Sequence, residues 1–350
     1  MKSTTITYLC PNCGAALTYD AEKQKFSCEF CLSDFDENEL VSSGASDAAD
    51  AKEQNDREFC DAMNEYYCPN CGAVVVADEN TVANFCYYCH SPIVLKGKLE
   101  GQFKPDKIIP FVIDKDKAEK EFIKYAKKKW FAPRDFSGIE HAGKISGIYY
   151  PFWVTDADTD SSLEGTAENI RVWMSGDYEV TETSKYKVHR RGEIHFEDIT
   201  SSAYSEADKE MLEGILPYPS DCHVDFSMPY LLGFEAKKRD VERSELTGEV
   251  RERMNGYAKK ILSDSVEGYS HFFAGDCNVN IKNSHWEYTL MPIWMLTYTN
   301  KRGKVYTYAM NGYTGKVYGR VPLSPAKLSG FGVALFAALL GVFVLLGGLL

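Results

Sequence analysis

The sequence predicts a mixed α+β protein with two small N-terminal β modules, a duplicated strand–helix–strand–strand region and one C-terminal transmembrane helix. Two segments of 22 residues, 10–31 and 68–89, each contain four cysteines and are identical at nine positions. A fainter repeat relates residues 149–154, YYPFWV, to residues 290–295, LMPIWM. The last 20 residues contain no charged side chain and are apolar enough for a membrane helix. These three observations predict the order of the elements.

Composition and charge restrict the possible functions. With 350 residues, 44% of them hydrophobic, the chain is long enough to fold into two or three domains. The formal net charge of −12 argues against sequence-independent attraction to nucleic acid, because phosphate binding requires local positive charge. The first ten residues, MKSTTITYLC, contain no apolar leader, so we expect a reducing cytosolic compartment. In that compartment, cysteine pairs indicate metal or redox chemistry rather than a disulfide framework.

The first cysteine module comprises residues 1–35, and the second comprises residues 66–100. Each carries two C-x-x-C pairs separated by 14 residues, a spacing typical of zinc sites with four thiolate ligands. The predicted ligands of two structural Zn²⁺ ions are Cys10, Cys13, Cys28 and Cys31 in the first module, and Cys68, Cys71, Cys86 and Cys89 in the second. Thioredoxin-like redox pairs and iron or iron–sulfur sites are the alternatives. Because four thiolates leave no open coordination position, the expected metal is structural rather than catalytic.

An acidic segment, residues 36–65, separates the two modules. Residues 36–59 contain eight acidic and two basic side chains, which give this stretch half of the net charge of the chain. Since few of its residues can be buried, the sequence predicts a flexible linker.

Two α+β units are predicted after the modules, over residues 101–224 and 225–328. Each is expected to contain an apolar run, an amphipathic helix, a strand with a Pro-x-Trp motif and further strands. The first helix is predicted over 115–130, with Asp114 as its N-cap, and the second over 240–262. The predicted apolar faces consist of Ala118, Phe122, Tyr125, Ala126 and Trp130 on the first helix, and of Leu246, Val250, Met254, Tyr257 and Ile261 on the second.

The C-terminal segment, residues 329–350, is predicted to be a transmembrane helix. Its last 20 residues would rise about 30 Å as a helix, which matches the hydrocarbon thickness of a bilayer. Arg320 and Lys327 precede it, so the positive-inside rule predicts a single-pass protein of the cell membrane with its N-terminal bulk in the cytoplasm. A buried core helix is the alternative, although this segment has no polar stripe.

No motif in the sequence indicates catalysis. A Walker A loop, an H-E-x-x-H pair and a G-x-S-x-G elbow are all absent from the sequence. The run DADTD, residues 156–160, places acids at positions 1, 3 and 5 of a calcium loop, but Ser161 and Ala167 stand where Gly and Glu are required. A solvated hairpin tip is therefore the favoured interpretation, and we expect a protein that is not an enzyme.

Several stretches together resemble a family of bacterial membrane-anchored proteins with transcription-factor-IIB-type zinc ribbons. They are the tandem CPNCG modules, WFAPRDF at 130–136, GIYYPFWV at 147–154, MPIWML at 291–296, YAMNGYTGKVYG at 308–319, and the apolar tail. The resemblance implies zinc ribbons and a membrane anchor. Some members carry the label of the primosomal replication-restart helicase. This chain has no Walker A loop to bind ATP phosphates, so helicase activity is not carried over.

The sequence therefore favours a non-enzymatic, membrane-anchored zinc-ribbon adaptor that binds a protein partner on the cytosolic side and has no identified small-molecule substrate. Two modules would allow bivalent engagement of that partner. Phe30, Tyr87 and Tyr88, inside the cysteine pairs, are candidate contacts. The main alternative is a nucleic-acid-associated protein linked to replication or transcription, which the acidic charge disfavours. An enzyme of unrecognised type in the α+β region is a further alternative.

Overall fold

The computed structural model describes residues 10–15, 17–40, 63–70, 72–78, 86, 93–98, 104–133, 136, 143–231, 234–300 and 304–347. Within these residues the helices are α1 (Glu37–Leu40), α2 (Lys115–Lys127), α3 (Lys209–Ile215), α4 (Arg243–Asp264) and α5 (Pro325–Gly347). The strands are β1 (Thr18–Asp20), β2 (Lys25–Ser27), β3 (Asp34–Phe35), β4 (Met63–Tyr67), β5 (Val74–Asp78), β6 (Val94–Lys98), β7 (Lys107–Ile108), β8 (Ser146–Ser175), β9 (Tyr178–Ser202), β10 (Val224–Asp225), β11 (Glu235–Lys237), β12 (His271–Thr299), β13 (Val305–Asn311) and β14 (Val317–Gly319). The protein is mixed α+β, as predicted.

The strands form two sheets of very different size. A small sheet in the first cysteine module has the order β1-β2-β3. A large sheet of 11 strands has the order β10-β7-β12-β8-β11-β5-β4-β6, with β9 paired to β8, and β13 paired to both β12 and β14. The second cysteine module therefore joins the large sheet, because its strand β5 pairs with β11.

The centre of the large sheet is the antiparallel pair of β8 and β12. Tyr150 in β8 pairs with Met291 in β12, and these two residues hold the same position in the two Pro-x-Trp segments. On one side β11 runs parallel to β8, and on the other side β7 runs parallel to β12. Ile108 in β7 and Ala236 in β11 each pair with the first residue of a Pro-x-Trp segment. The flanking strands therefore share one register.

Each of these flanking strands leads into a helix after the same number of residues. Ile108 lies six residues before Asp114, the N-cap of α2, and Ala236 lies six residues before Glu242, the N-cap of α4. The prediction of Asp114 as an N-cap is confirmed, because its carboxylate accepts a hydrogen bond of 2.6 Å from the Lys117 amide. At α4 the Glu242 amide donates to the side chain of the third helical residue, as in a capping box.

Two buried tryptophans fix the strand–helix junctions. The indole N–H of Trp153, in β8, donates to the carbonyl of Val241 at 2.9 Å, one residue before the N-cap of α4. The indole N–H of Trp294, in β12, donates to the carbonyl of Ile113 at 2.8 Å, one residue before the N-cap of α2. A buried indole requires an acceptor, so each Pro-x-Trp segment holds the helix entrance of the other half of the sheet.

The buried faces of the two helices agree only in part with the prediction. Ala118, Phe122 and Ala126 are buried on α2, but Trp130 is 80% exposed, because α2 ends at Lys127 and helical spacing no longer applies to it. On α4 the buried residues follow an unbroken four-residue spacing, namely Leu246, Val250, Met254, Ala258 and Leu262. Tyr257 and Ile261 are exposed, so their predicted burial is wrong.

A three-stranded β arm, residues 156–198 and 271–285, extends from the centre of the sheet. Strand β8 lies in its middle, paired to β9 on one edge and to β12 on the other. Helix α4 covers one face, where Val250, Met254 and Ala258 cluster with apolar residues of the arm. The DADTD run lies inside β8, so the prediction of a hairpin tip there is wrong. The tip is the turn at Gly176, whose φ is +65°.

Helix α5 confirms the predicted apolar C-terminal helix, although it begins at Pro325 rather than 329. It is long and apolar enough to cross a membrane, and none of the window Pro325–Val342 is buried in the described structure. Near its start, the Ser324 amide donates to the Phe131 carbonyl at 2.8 Å. The rings of Phe131 and Phe331 meet edge to face, with centroids 5.4 Å apart. The helix is thereby attached beside the end of α2.

Candidate metal centre

Both cysteine pairs of the first module lie in the same kind of backbone turn. The Gly14 amide donates to the Cys10 carbonyl at 2.8 Å, and the Leu32 amide donates to the Cys28 carbonyl at 2.9 Å. In each turn the residue after the second cysteine has a positive φ, +75° at Gly14 and +57° at Leu32. The hairpin of β1 and β2 connects the two turns and places them opposite each other.

The four cysteine side chains converge on one point. The Sγ atoms of Cys10 and Cys31 are 3.4 Å apart, and those of Cys13 and Cys28 are 3.5 Å apart. All four Sγ atoms lie within 4.8 Å of one another. Four thiolates at about 2.3 Å from a tetrahedral zinc ion would be separated by about 3.8 Å, so the spacing fits a metal, whereas a disulfide requires about 2.05 Å. The first predicted ligand set is therefore close enough to bind a metal ion.

The thiols of this cluster differ in acidity. The Ser33 hydroxyl, 3.3 Å from the Cys31 sulfur, and the Ser33 amide stabilise the thiolate and lower the pKa of Cys31 to about 6. At Cys13 the Ala15 backbone lowers the pKa, but hydrogen bonding with the Cys28 thiol and the other thiols raises it to about 12. Since metal ligands must be deprotonated, loading the cluster would release a proton from Cys13.

One side of the cluster is buried and the other faces solvent. Cys10 and Cys28 are buried, whereas Cys13 and Cys31 are exposed. The two residues that flank Cys31 are apolar and almost fully exposed, Phe30 at 86% and Leu32 at 83%. The exposure of Phe30 agrees with its role as a candidate contact. The sequence alone did not identify Leu32 as a candidate contact. A signal was available, because glycine follows Cys13 and Cys71 at the position that Leu32 holds after Cys31.

The first module packs against the α+β region. The ring of Tyr230 contacts Tyr19 and Phe26 at centroid distances of 5.4 and 5.7 Å, and its hydroxyl donates to Glu37 at 2.9 Å. The side-chain amide of Gln24 donates to a backbone carbonyl near the start of α2 at 2.6 Å. These contacts hold the buried side of the cluster against the domain and leave the Cys31 side free for contact.

The second module shares the local geometry of the first as far as the structure describes it. The Gly72 amide donates to the Cys68 carbonyl at 2.9 Å, and Gly72 has a φ of +78°. Cys68 and Cys86 are both buried and belong to one apolar cluster. The other two predicted ligands, Cys71 and Cys89, and the candidate contacts Tyr87 and Tyr88 lie outside the described residues. The second zinc site therefore stays a prediction.

A glutamate with one fully buried carboxylate oxygen lies in the sheet, and no pattern in the sequence indicates its burial. Glu235 lies in β11, and its Oε2 atom is buried without a hydrogen-bond partner among the residues that the structure describes. Burial raises the pKa of Glu235 to about 7, an effect that the cation of Lys237 only partly opposes. An isolated Glu in a short polar segment is ordinarily expected at the surface, so the residue types alone did not indicate that an oxygen of Glu235 is buried.

The chain is similar along nearly its whole length to a protein of Bacillus subtilis. It is 32% identical to the uncharacterised protein YdjG of Bacillus subtilis (strain 168) over 350 residues, which cover 98% of this chain and 99% of the relative. The chain belongs to the same family as YdjG. The aligned region includes the cysteine modules, the α+β region and the tail helix of this chain.

No family model matches the chain, and no solved structure matches it. The name of the relative attaches no activity to the family. The resemblance to proteins with transcription-factor-IIB-type zinc ribbons stays a prediction, supported locally by the four convergent cysteines.

Proposed function

We propose that the protein is a non-enzymatic, membrane-anchored zinc-binding adaptor that holds a protein partner at the cytosolic face of the membrane. The observation that carries this proposal is the exposed apolar pair Phe30 and Leu32, which flanks Cys31 at the metal cluster. Leu32 combines a positive φ with nearly complete exposure.

The conformation of Leu32 has an energetic cost that packing within the described chain does not offset. A non-glycine residue in the left-handed region costs about 1–2 kcal/mol, and glycine occupies the same position in the turns of Cys13 and Cys71. A side chain that is 83% exposed gains little from burial. A strained, exposed apolar residue beside a rigid metal turn is a feature expected of a contact site.

In this proposal zinc is the metal, and each module carries one ion. Four thiolates fill a tetrahedral site, so zinc would stabilise the modules rather than catalyse a reaction. The same C-x-x-C spacing and the matching turn at Cys68 support a second site formed by Cys68, Cys71, Cys86 and Cys89. Two modules would engage a partner bivalently, so that the second contact becomes effectively intramolecular.

In this proposal helix α5 is the membrane anchor. Its 23 residues would rise about 34 Å, enough to cross the hydrocarbon core. An apolar helix that has no polar stripe, and none of whose window Pro325–Val342 is buried, is more stable in lipid than in water. Lys327 at its N-terminal end supports a cytosolic position for the domains.

We further propose that residues 101–224 and 225–328 are duplicated units. The shared register of β7 and β11, the equal distance from each to its helix, and the reciprocal bonds of Trp153 and Trp294 support this relation. Each tryptophan bonds to the other unit, so the two units would fold as one body.

The test is a gentle detergent extraction of the tagged full-length protein from native membranes, with and without nuclease. The expected result is a protein partner that survives nuclease and is lost from Leu32→Gly and Phe30→Ser. Trp173→Ser removes a different exposed apolar side chain, at the arm tip, and should leave the partner bound.

The same experiment can refute the proposal in two ways. If the partner is lost from Trp173→Ser but kept by the two cysteine-module variants, the contact lies on the arm. If nucleic acid copurifies and nuclease releases the other proteins, the protein is nucleic-acid-associated, and the adaptor proposal is wrong.

A further inference from the structure

The end of helix α2 carries a basic and aromatic patch beside the start of the tail helix. The patch consists of Lys127, Lys128, Lys129 and Trp130, all of which are exposed. Within the described part of the chain, no carboxylate lies within ion-pair distance of these three lysines. The nearby Lys124 differs, because it pairs with Glu121 at 3.1 Å.

The patch is attached to the entrance of the tail helix by direct contacts. Lys327 Nζ donates to the Ala132 carbonyl at 2.6 Å, and the Ser324 amide donates to the Phe131 carbonyl at 2.8 Å. The ring contact of Phe131 with Phe331 lies at the first residue of the fully apolar segment. A bilayer that surrounds this segment would have its headgroups at the level of the patch.

We propose that this patch is an interfacial belt that binds the anionic lipid headgroups of the bilayer in which the tail is anchored. The proposal rests on the proposed membrane anchor. Lysines attract anionic headgroups, and an indole is stable at the membrane–water interface, where its ring is apolar and its N–H can bond to water or lipid. The patch would fix the orientation of the sheet above the membrane.

Trp173, at the tip of the β arm, is an internal control for Trp130 of the patch. Trp173, near the arm tip, is 45% exposed among apolar neighbours Val172, Met174 and Tyr178, which are also exposed. The tail helix starts near the end of the sheet at which β8 begins. Just before the helix, the Arg320 amide donates to the Thr307 carbonyl, and Thr307 in β13 pairs with Thr297 in β12 at that end of the sheet. Strand β8 spans 30 residues, roughly 100 Å along its path at about 3.3 Å per residue, so the tip lies at the opposite end of that strand.

The experiment uses the full chain reconstituted into phosphatidylcholine vesicles with lipids brominated near the headgroup, which quench nearby tryptophan. Of the five tryptophans, Trp130 and Trp173 are the exposed ones. The expected result is quenching that is largely lost in Trp130→Phe and retained in Trp173→Phe. Quenching that is retained in Trp130→Phe and lost in Trp173→Phe would overturn the proposal, since the arm tip would then contact the bilayer.

A second arm tests the lysines. Brominated phosphatidylglycerol should quench Trp130 more strongly than brominated phosphatidylcholine, with a local enrichment of about fivefold per lysine at low salt. Replacing Lys127, Lys128 and Lys129 by Gln should abolish this preference. Replacing Lys115, Lys117 and Lys120, exposed at the other end of the same helix, removes the same charge and should preserve it. Equal preference in both triple variants would overturn the headgroup contact.

The anchor itself is measured separately by flotation of the vesicles. If the protein does not float with lipid, the proposed anchor is wrong and the belt fails with it. If it floats but Trp130 is not quenched, the anchor stands and the belt alone is refuted.

Discussion

The substitution Glu235→Gln should stabilise the protein, increasingly so as the pH rises. The Oε2 atom of the carboxyl group is buried without a hydrogen-bond partner among the described residues, and burial raises the pKa of Glu235 to about 7. A carboxyl whose pKa is raised in the folded state contributes stability below its ordinary pKa of 4.5, and this contribution is lost as the pH rises through 7. Glutamine has nearly the same shape but no charge to bury.

The expected magnitude follows from the two pKa values. The difference between about 7 and the ordinary 4.5, at about 1.4 kcal/mol per pKa unit, corresponds to about 3 kcal/mol at pH 8. At pH 5, where the folded carboxyl is already protonated, the difference is about 1 kcal/mol. The assay is urea unfolding of the full chain in detergent micelles between these pH values, followed by tryptophan fluorescence.

Glu65→Gln is the matched control, because it makes the same change at a carboxylate with a partner. Glu65 is only 4% exposed, and its Oε2 atom accepts from Lys238 Nζ at 2.7 Å. The Lys238 side chain is 24% exposed, so removing the charge of Glu65 should be destabilising by about 1.5–3 kcal/mol. The two substitutions should therefore have opposite signs. If Glu235→Gln lowers the free energy of unfolding at pH 8, or if its effect does not grow with pH, the carboxylate is well solvated or paired and the reasoning is wrong.

Three further predictions concern the metal turn and the sheet. Leu32→Gly should raise the free energy of unfolding by about 0.5–1 kcal/mol, which thermal unfolding would measure. Glycine adopts the left-handed conformation without strain, and this gain exceeds the cost of the greater chain entropy of glycine in the unfolded state. Trp294→Phe should destabilise by about 1–3 kcal/mol in urea unfolding, because the buried Ile113 carbonyl loses its donor. Metal analysis of the full chain should find two zinc ions, and Cys13→Ser should remove one of them, whereas an unchanged zinc content would contradict the ligand assignment.

The features that the sequence predicted well are those set by local patterns. The cap of α2 at Asp114 and the grouping of Cys10, Cys13, Cys28 and Cys31 depend on residues close together in the sequence, and both are present. The apolar tail is likewise a property of its own composition. The partners of these elements depend on long-range contacts, such as that of Tyr230 with the first module, and no periodicity in the sequence indicates them.

The errors of the sequence analysis have physical causes. The prediction of a solvated hairpin tip at the DADTD run is wrong because one face of the β arm also exposes alternate side chains to water, even on its middle strand. In the structure Asp158 lies 2.7 Å from the ring of His195 on the neighbouring strand, and Asp160 pairs with Arg191. Cross-strand pairs of opposite charge stabilise a solvated sheet, and the partners of a strand cannot be read from the strand alone.

The placement of the cysteine modules distinguishes two otherwise similar halves of the sheet. Strands β7 and β11 hold equivalent positions beside the central pair, but β7 is covered on its outer edge by the two-residue strand β10, and β11 by β5 of the second module. An uncovered strand edge is open to pairing with another chain, so each outer edge needs a cover. In the proposed duplicated arrangement, the second module therefore has a structural role at one edge in addition to any metal it binds. If the second module holds zinc as proposed, removal of that metal should weaken the sheet at β11 before it affects the opposite edge at β7.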